Sequence, residues 1–311
     1  MQELISIALA CYNGEKFLAE QLNSIFNQTY KNLEVIASVD LSTDSTIEIL
    51  ENYSKLYNLK IVHNHAEKGV LSNFQNALIH TSGKYIAFAD QDDVWFPDKI
   101  EKSLELIVNI EKSVANPIPI LVFSDLKVVD QQLNVLHDSY LISKGLNPDN
   151  ILLQQLMIEN VATGCTILIN NHLKDLVKNF PKGIAMHDVF MAMTASAFGR
   201  IGYLPTPTLY YRQHGSNVVG LSEKSFNSSL STTLRHFIKN EDFLEREILQ
   251  ASAFYKNYQT KLRKDQKELM EAFLKIKSKN FIKRLCFFIA HKFIKGTGLK
   301  TLNFWLKAST T

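Results

Sequence analysis

Residues 88 to 99 read FADQDDVWFPDK, and within them Asp90, Gln91, Asp92 and Asp93 set three carboxylates in four consecutive positions. Like charges at that spacing raise one another's cost of ionisation unless a cation or several donors lie between them. Asp90 and Asp92, one residue apart where an apolar run ends, offer hard oxygen ligands suited to Mg2+ or Mn2+ and leave coordination positions for phosphate oxygens and water. The same acids also read as a solvated turn, with Asp93 or Asp98 near the positive end of a helix that starts close to Pro97. Two later stretches hold further reactive side chains. In AMHDVFM, residues 185 to 191, the pair His187 and Asp188 precedes a run of small helix-forming residues, where an Asp serves as a cap. In YYRQHGSNVVG, residues 210 to 220, Arg212 and His214 supply a fixed cation and an imidazole two positions apart.

These side chains need a scaffold, and the first half of the chain supplies the pattern of one. Residues 4 to 11 (LISIALAC) form a short apolar run, and 15 to 28 space Leu18, Leu22, Ile25 and Phe26 as on one helical face. The alternation continues with a strand at 33 to 39, a helix at 44 to 57 opened by a capping box of Ser45 and Glu48, a strand at 60 to 63, a helix at 70 to 81 and a strand at 84 to 89. A helix at 97 to 112 and a strand at 120 to 124 follow, and the pattern loosens between 130 and 150. Such alternation predicts an α/β fold with a mostly parallel sheet covered on both faces, in which ligands bind beyond the carboxyl ends of the strands. Asp90 to Asp93 lie at one such end. No repeat, low-complexity tract or linker divides residues 1 to 220, so these are expected to form one domain, with 221 to 311 as a helical, basic C-terminal region.

Composition is that of an ordinary globular chain, 311 residues with 46% hydrophobic and 21% charged side chains. Cys11, Cys165 and Cys286 show neither paired nor metal-like spacing, which predicts buried thiols in a reducing compartment. The N-terminus lacks the basic start and small-residue cleavage site of a signal peptide, and no apolar run reaches the roughly 18 residues of a membrane span. A cytoplasmic location is therefore expected.

Read together, ISIALACYNGEKFLAEQLNSIFNQTYKNLEVIASVD and GVLSNFQNALIHTSGKYIAFADQDDVWFPDKIEKSL resemble the bacterial family 2 glycosyltransferases of GT-A fold, over about the first 110 residues. The resemblance implies a Rossmann-like sheet, a nucleotide-diphosphate sugar donor, and a divalent metal held by a DxD motif, here Asp90 and Asp92 with Gln91 between them. It places the turn of Ala10, Tyr12 and Asn13 against the nucleoside, Asp40 on a pyrimidine base, and Asn73 near the base or ribose. Where the family commonly has DDGS this chain has Val39, Asp40, Leu41 and Ser42; leucine lacks glycine's freedom at positive φ, so the loop is expected to follow another path. The His187-Asp188 pair and the YRQHGxNVVG pattern resemble a rhamnosyltransferase-like subgroup. Asp188 then becomes the base that takes the acceptor proton, Arg212 a clamp on the pyrophosphate, and His214 a metal ligand or phosphate donor. The implied activity is inverting transfer, with dTDP-rhamnose as donor and a lipid-linked oligosaccharide as acceptor, in the synthesis of a capsule, O-antigen or cell-wall polysaccharide. The alternatives are a hexosyltransferase that uses a UDP-sugar and a non-catalytic nucleotide-sugar-binding or assembly subunit, for which the altered turn at Asp40 is the only hint.

The C-terminal region adds a separate expectation. After Glu271 no acid remains, while Lys275, Lys277, Lys279, Lys283, Arg284, Lys292, Lys295, Lys300 and Lys307 follow. Residues 280 to 294 interleave Phe281, Ile282, Leu285, Phe288, Ile289 and Phe293 with cations, and Phe304 and Trp305 come after. That pattern predicts peripheral binding to an anionic membrane, at the inner face of the plasma membrane. The same residues read alternatively as a helix packed on the catalytic domain. Nothing resembles a base-reading module, which excludes nucleic acid as a partner; a homo-oligomer is kept open without a residue to assign it.

Overall fold

Ile5, Ile7, Leu9 and Cys11 point to one side of a strand and Ser6 and Ala8 to the other, yet all of them are buried. Burial on both sides is the mark of a central parallel strand. In the computed structural model, which describes residues 2–65, 68–214 and 244–310, this strand is β1 (Ile5–Cys11). It is followed by α1 (Leu18–Phe26), β2 (Leu33–Val39), α2 (Thr46–Ser54), β3 (Leu59–His63), α3 (Val70–Ile79) and β4 (Tyr85–Asp90). β3, β2, β1 and β4 lie side by side and parallel, as the alternation predicts. The register sets Ala10 across from Ser38 on one side and Asp90 on the other, so the carboxyl ends of three strands finish together.

Beyond β4 the sheet changes character. β5 (Val94–Trp95), α4 (Lys99–Lys112), β6 (Ile120–Val129) and β7 (Val135–His137) lead to α5 (Tyr140–Lys144), α6 (Leu153–Leu156), β8 (Leu168–Asn170), α7 (Asn171–Val177), α8 (His187–Phe198) and β9 (Arg200–Arg212). β8 is antiparallel to both β4 and β6, β9 runs parallel to β6, and β5 pairs antiparallel with the end of β9. β6 runs five residues past the expected 124, and its ladder with β9 shifts register around Asp125. The shift faces Pro205 and Pro207, which cannot donate to a ladder and disguise β9 in the sequence.

The two faces of the sheet carry separate cores. Ile5, Ile7 and Leu9 pack with Leu18, Leu22 and Ile25 of α1 and with Ile100 and Ile107 of α4. On the other face Ala8, Ile36 and Phe88 meet Phe74 and Leu78 of α3, Phe190 and Met191 of α8, and the C-terminal helices. Those helices are α9 (Glu245–Tyr258), α10 (Lys264–Leu274), α11 (Phe281–Ala290) and α12 (Gly298–Thr310). Phe288, Phe293 and Phe304 are buried with Phe273 in this second core, and burying each contributes about 1.5–3 kcal/mol. That part of the apolar pattern therefore belongs to the protein itself and not to a lipid-facing side. Arg284 is likewise turned inward, donating to the carbonyls of Lys279 at 2.8 Å and Lys277 at 2.6 Å.

The capping box expected at Ser45 and Glu48 is not formed. Ser45 makes no side-chain cap bond; Asp44 Oδ1 accepts from Thr46 N at 3.1 Å instead. Asp44 wins because its second oxygen also accepts from Glu15 N at 3.0 Å, joining this loop to the one after β1.

Candidate active site

The loop after β1 is held by bonds that reach far along the chain. Tyr12 N–H donates to Gln91 Oε1 at 2.8 Å and Gln91 Nε2 donates back to the Tyr12 carbonyl at 2.8 Å, so the amide of Gln91 reads a single peptide as a strand would. Gly14 makes room for this: a Cβ there would sit 2.3 Å from Gln91 Oε1. Asn13 takes φ 45°, a left-handed conformation that Asn tolerates, and its Oδ1 accepts from Thr43 N at 2.9 Å while its own N–H donates to Ser42 Oγ at 3.1 Å. Leu41 needs no positive φ, since Asn13, Leu133 and Lys292 are the non-glycine residues with that conformation among those described. Ser42 anchors the altered turn by donating to the Asp40 carbonyl at 3.0 Å.

Asp40 lies buried one step beyond β2, its carboxylate accepting from Asn64 Nδ2 at 2.7 Å and Gly69 N at 3.0 Å. Asn73, also buried, donates to the Cys11 carbonyl at 3.0 Å and leaves its Oδ1 without a partner among the described residues. Both residues thus shape the wall at the ends of β1 and β2, with Tyr12 exposed at the rim.

Asp90 ends β4 beside Ala10. Burial, then the charges of Asp92 and Asp188, push its carboxyl up to about 7. Asp92 Oδ2 lies 2.8 Å from His214 Nε2, which brings together two residues 122 positions apart. A carboxylate oxygen and an imidazole nitrogen 2.8 Å apart, beside a carboxyl raised by burial and then by neighbouring acids, are donors that fit a divalent cation such as Mg2+ or Mn2+. Asp93 caps no helix: fully buried, it accepts from Arg212 N at 3.3 Å, and ligand atoms of Asp90, Asp93 and Cys165 lie within 4.8 Å of one another. Asp98 does stand at the start of α4 but makes no cap bond, pairing with Lys102 at 2.6 Å.

Arg212 occupies different surroundings from those expected of a clamp. Its guanidinium is buried over the Phe17 ring at 4.5 Å, paired with Glu20, and donates from Nε to the Asp92 carbonyl at 2.9 Å and from Nη1 to the Gln131 carbonyl at 2.5 Å. It braces the acidic loop from behind. The rest of the 210 to 220 motif after His214 lies outside the described residues.

Asp188 stands in the first turn of α8, at the positive end of that helix. Burial raises its carboxyl to about 6, against the pull of N–H donors from Val189 and Gly164 and of the Asn160 side chain. It is near enough to Asp90 for its charge to be felt there. Beside it His187 is buried, stacked on Phe74 at 3.9 Å, with neither ring nitrogen partnered among the described residues. Burial pushes its imidazole down to about 3, so it is neutral. A Cβ on Gly164 would fall 2.8 Å from His187 Nε2. Asn160, Gly164, Cys165 and Asp93 are the members of this site that the sequence reading did not assign. The stretch NVATGC, polar and small between two apolar runs, was the available signal for the first three.

Comparison with known proteins identifies the family and the fold. The glycosyl transferase family 2 model matches residues 6–176. The dTDP-rhamnosyl transferase RfbG of Shigella flexneri is 30% identical over 224 residues, 68% of this chain and 73% of that protein. An uncharacterized glycosyltransferase of Haemophilus influenzae is 40% identical over 111 residues, 35% of this chain, and the match spans only 33% of its own length. Among solved structures, S. aureus TarS 1-349 in complex with UDP shares the fold at a TM-score of 0.55 and 20% identity, covering 87% of this chain and 70% of that one. The GT-A-like fold, the ordered motifs and the family match agree, and the chain belongs to glycosyl transferase family 2 as a glycosyltransferase.

Proposed function

We propose that this glycosyltransferase moves L-rhamnose from dTDP-rhamnose, with inversion, onto a lipid-linked oligosaccharide in the synthesis of a bacterial surface polysaccharide such as a capsule. The observation that supports the reading is the contact of Asp92 Oδ2 with His214 Nε2 at 2.8 Å, beside an Asp90 whose carboxyl is raised by burial and then by the charges of Asp92 and Asp188. The similarity to RfbG supports the choice of donor.

In this reading the nucleoside lies along the wall of Ala10, Tyr12, Asn13 and Asp40. Asp40 accepts from the pyrimidine, and Asn73 fixes the wall through the Cys11 carbonyl. Mg2+ or Mn2+, held by Asp90, Asp92 and His214, would supply positive charge where the diphosphate departs. Gln91 keeps the Tyr12 peptide and the acidic loop in one frame, and Arg212 holds the backbone of Asp92. Asp188 takes the proton of the acceptor hydroxyl as that oxygen forms its bond to the anomeric carbon. The bond from that carbon to the phosphate oxygen breaks, and its electron pair leaves with the nucleoside diphosphate. Attack from the face opposite the leaving group inverts the centre, so no covalent sugar–protein intermediate is needed.

A hexosyl transfer from a UDP-sugar is the second reading, favoured by the fold shared with the UDP complex of TarS. Incubating the purified protein with dTDP-rhamnose, UDP-glucose or UDP-galactose and Mn2+, and following release of nucleoside diphosphate, separates the two. Fastest turnover of dTDP-rhamnose is expected; a preference for a UDP-sugar replaces the donor, and turnover of none refutes the function. For the acceptor, the proposal places the protein peripherally at the inner face of the plasma membrane. No described helix is long and apolar enough to cross one.

A further inference from the structure

With Phe288, Phe293 and Phe304 drawn into the core, the apolar side chains left outside on the C-terminal helices form a new pattern. On α11 the exposed side chains Ile282 (69%), Cys286 and Ile289 (48%) recur at i, i+4 and i+7, with Phe281 next to them. On α12 Leu299 (85%), Leu302 (49%) and Leu306 (39%) recur at i, i+3 and i+7. The two helices pack on one another, Phe288 against Phe304 at 5.4 Å between ring centroids. Single exposed apolar residues are ordinary on a protein surface; a helical stripe on each of two adjoining helices is not scatter.

Charge selects what covers it. Lys279, Lys283 and Lys292 are exposed around the α11 stripe, and no acid occurs in the sequence after Glu271. Lys300 is neutralised by Glu159 at 2.7 Å and is left out of the count. An apolar stripe flanked by exposed cations, with no acid on either of its two helices, complements an anionic lipid surface, where aliphatic side chains enter the acyl boundary and ammonium groups stay at the headgroups.

We infer that Ile282, Cys286 and Ile289 of α11, with Leu299, Leu302 and Leu306 of α12, are the surface by which this protein docks on an anionic bilayer. Of the residues that the sequence pattern singles out, Ile282 and Ile289 stay on this face while Phe288, Phe293 and Phe304 serve the core; Cys286, Leu299, Leu302 and Leu306 complete the outer surface. The benefit to activity rests on the proposed lipid-linked acceptor, whose effective concentration such docking raises; the docking itself does not.

Cys286 permits a direct test, because Cys11 and Cys165 are buried. An environment-sensitive fluorophore on Cys286 of the full-length chain should shift to the blue with vesicles of phosphatidylcholine and phosphatidylglycerol, and far less with phosphatidylcholine alone. In unlabelled protein, Lys283→Gln and Lys292→Gln should each weaken vesicle partition by about fivefold. The double variant Ile282→Asp, Ile289→Asp should weaken it by more than about tenfold, both positions being exposed so that its melting curve stays that of the parent. A probe that stays in water with anionic vesicles overturns the inference, as does a double variant that sediments with them like the parent. A concentration-dependent dimer that shields the probe without lipid assigns the face to a second copy and also overturns it. Vesicle binding without turnover of any nucleotide sugar would sink the proposed function and leave this surface standing; turnover without vesicle binding would do the reverse.

Discussion

In the proposed function, the donor rim and the proton-accepting side of the site are built in opposite ways. At the rim, Tyr12, Asn13, Gly14 and Glu15 are each tied by hydrogen bonds to residues 42 to 46 or to Gln91, so the backbone is preorganised by polar bracing close to solvent. On the other side a single carboxylate, Asp188, is set by burial, by the start of α8 and by a few donors, beside a buried imidazole with no hydrogen-bond partner among the described residues. The contrast teaches a division of labour. Binding a large polar nucleotide calls for many fixed contacts, and accepting one proton calls for one tuned group.

If that division is real, the two sides should break differently. The largest effect is expected for Asp188→Asn, which keeps size but removes the basic oxygen: turnover should fall by about 10²–10⁴-fold in single-turnover assays. The pH profile carries the same signature. Burial raises Asp188 to about 6, and only its ionised form accepts a proton, so kcat/KM should climb as pH rises through 6 and level above it. A profile that falls with rising pH in that range would remove Asp188 from the role.

Next in size is Gly164→Ala. The added methyl meets His187 Nε2 at 2.8 Å and lies 3.7 Å from Asp188 Cβ, so it pushes on the base and not on the rim. Overpacking of this kind should cost about 1–3 kcal/mol by denaturant titration. It should lower kcat while the donor KM stays within twofold.

How far the sequence shows this depends on which half is read. From β1 to β4 the strands are continuous apolar runs and the helices keep their spacing, because each element is local and parallel; Leu33–Val39 matches the expected range residue for residue. Asp90, Asp92 and Asp188 were visible as acids at element ends. The placing of His214 in the site rested on resemblance, and its contact with Asp92 was not legible, since nothing local links residues 122 positions apart. The second half hides its strands: β8 is three residues long, and β9 holds two prolines beside a register shift. Arg212 shows the remaining limit. Its charge announced an anion, but the number of carbonyls that close around it is a property of packing.

Smaller effects sharpen the contrast. Gln91→Ala removes both bonds to the Tyr12 peptide, a loss of about 1 kcal/mol at this half-buried position, read as a rise of about fivefold in the donor KM with kcat nearly constant. An unchanged KM would mean that the rim holds its shape without the amide. The smallest effect belongs to His187→Leu. An imidazole that is neutral and unpaired contributes packing alone, so an apolar side chain of similar volume should leave the melting temperature equal or higher. A large loss of stability would reveal a partner for His187.

The division of labour is tested most directly by calorimetric titration of dTDP in the presence of Mn2+ into the parent, Asp92→Asn and Asp188→Asn. The prediction is that Asp92→Asn weakens Mn2+-dependent affinity by about 10–100-fold, taking the effect of outer-shell partners as the lower limit, while Asp188→Asn stays within twofold of the parent. Equal losses in both variants, or an Asp92→Asn protein that binds as the parent does, would contradict it.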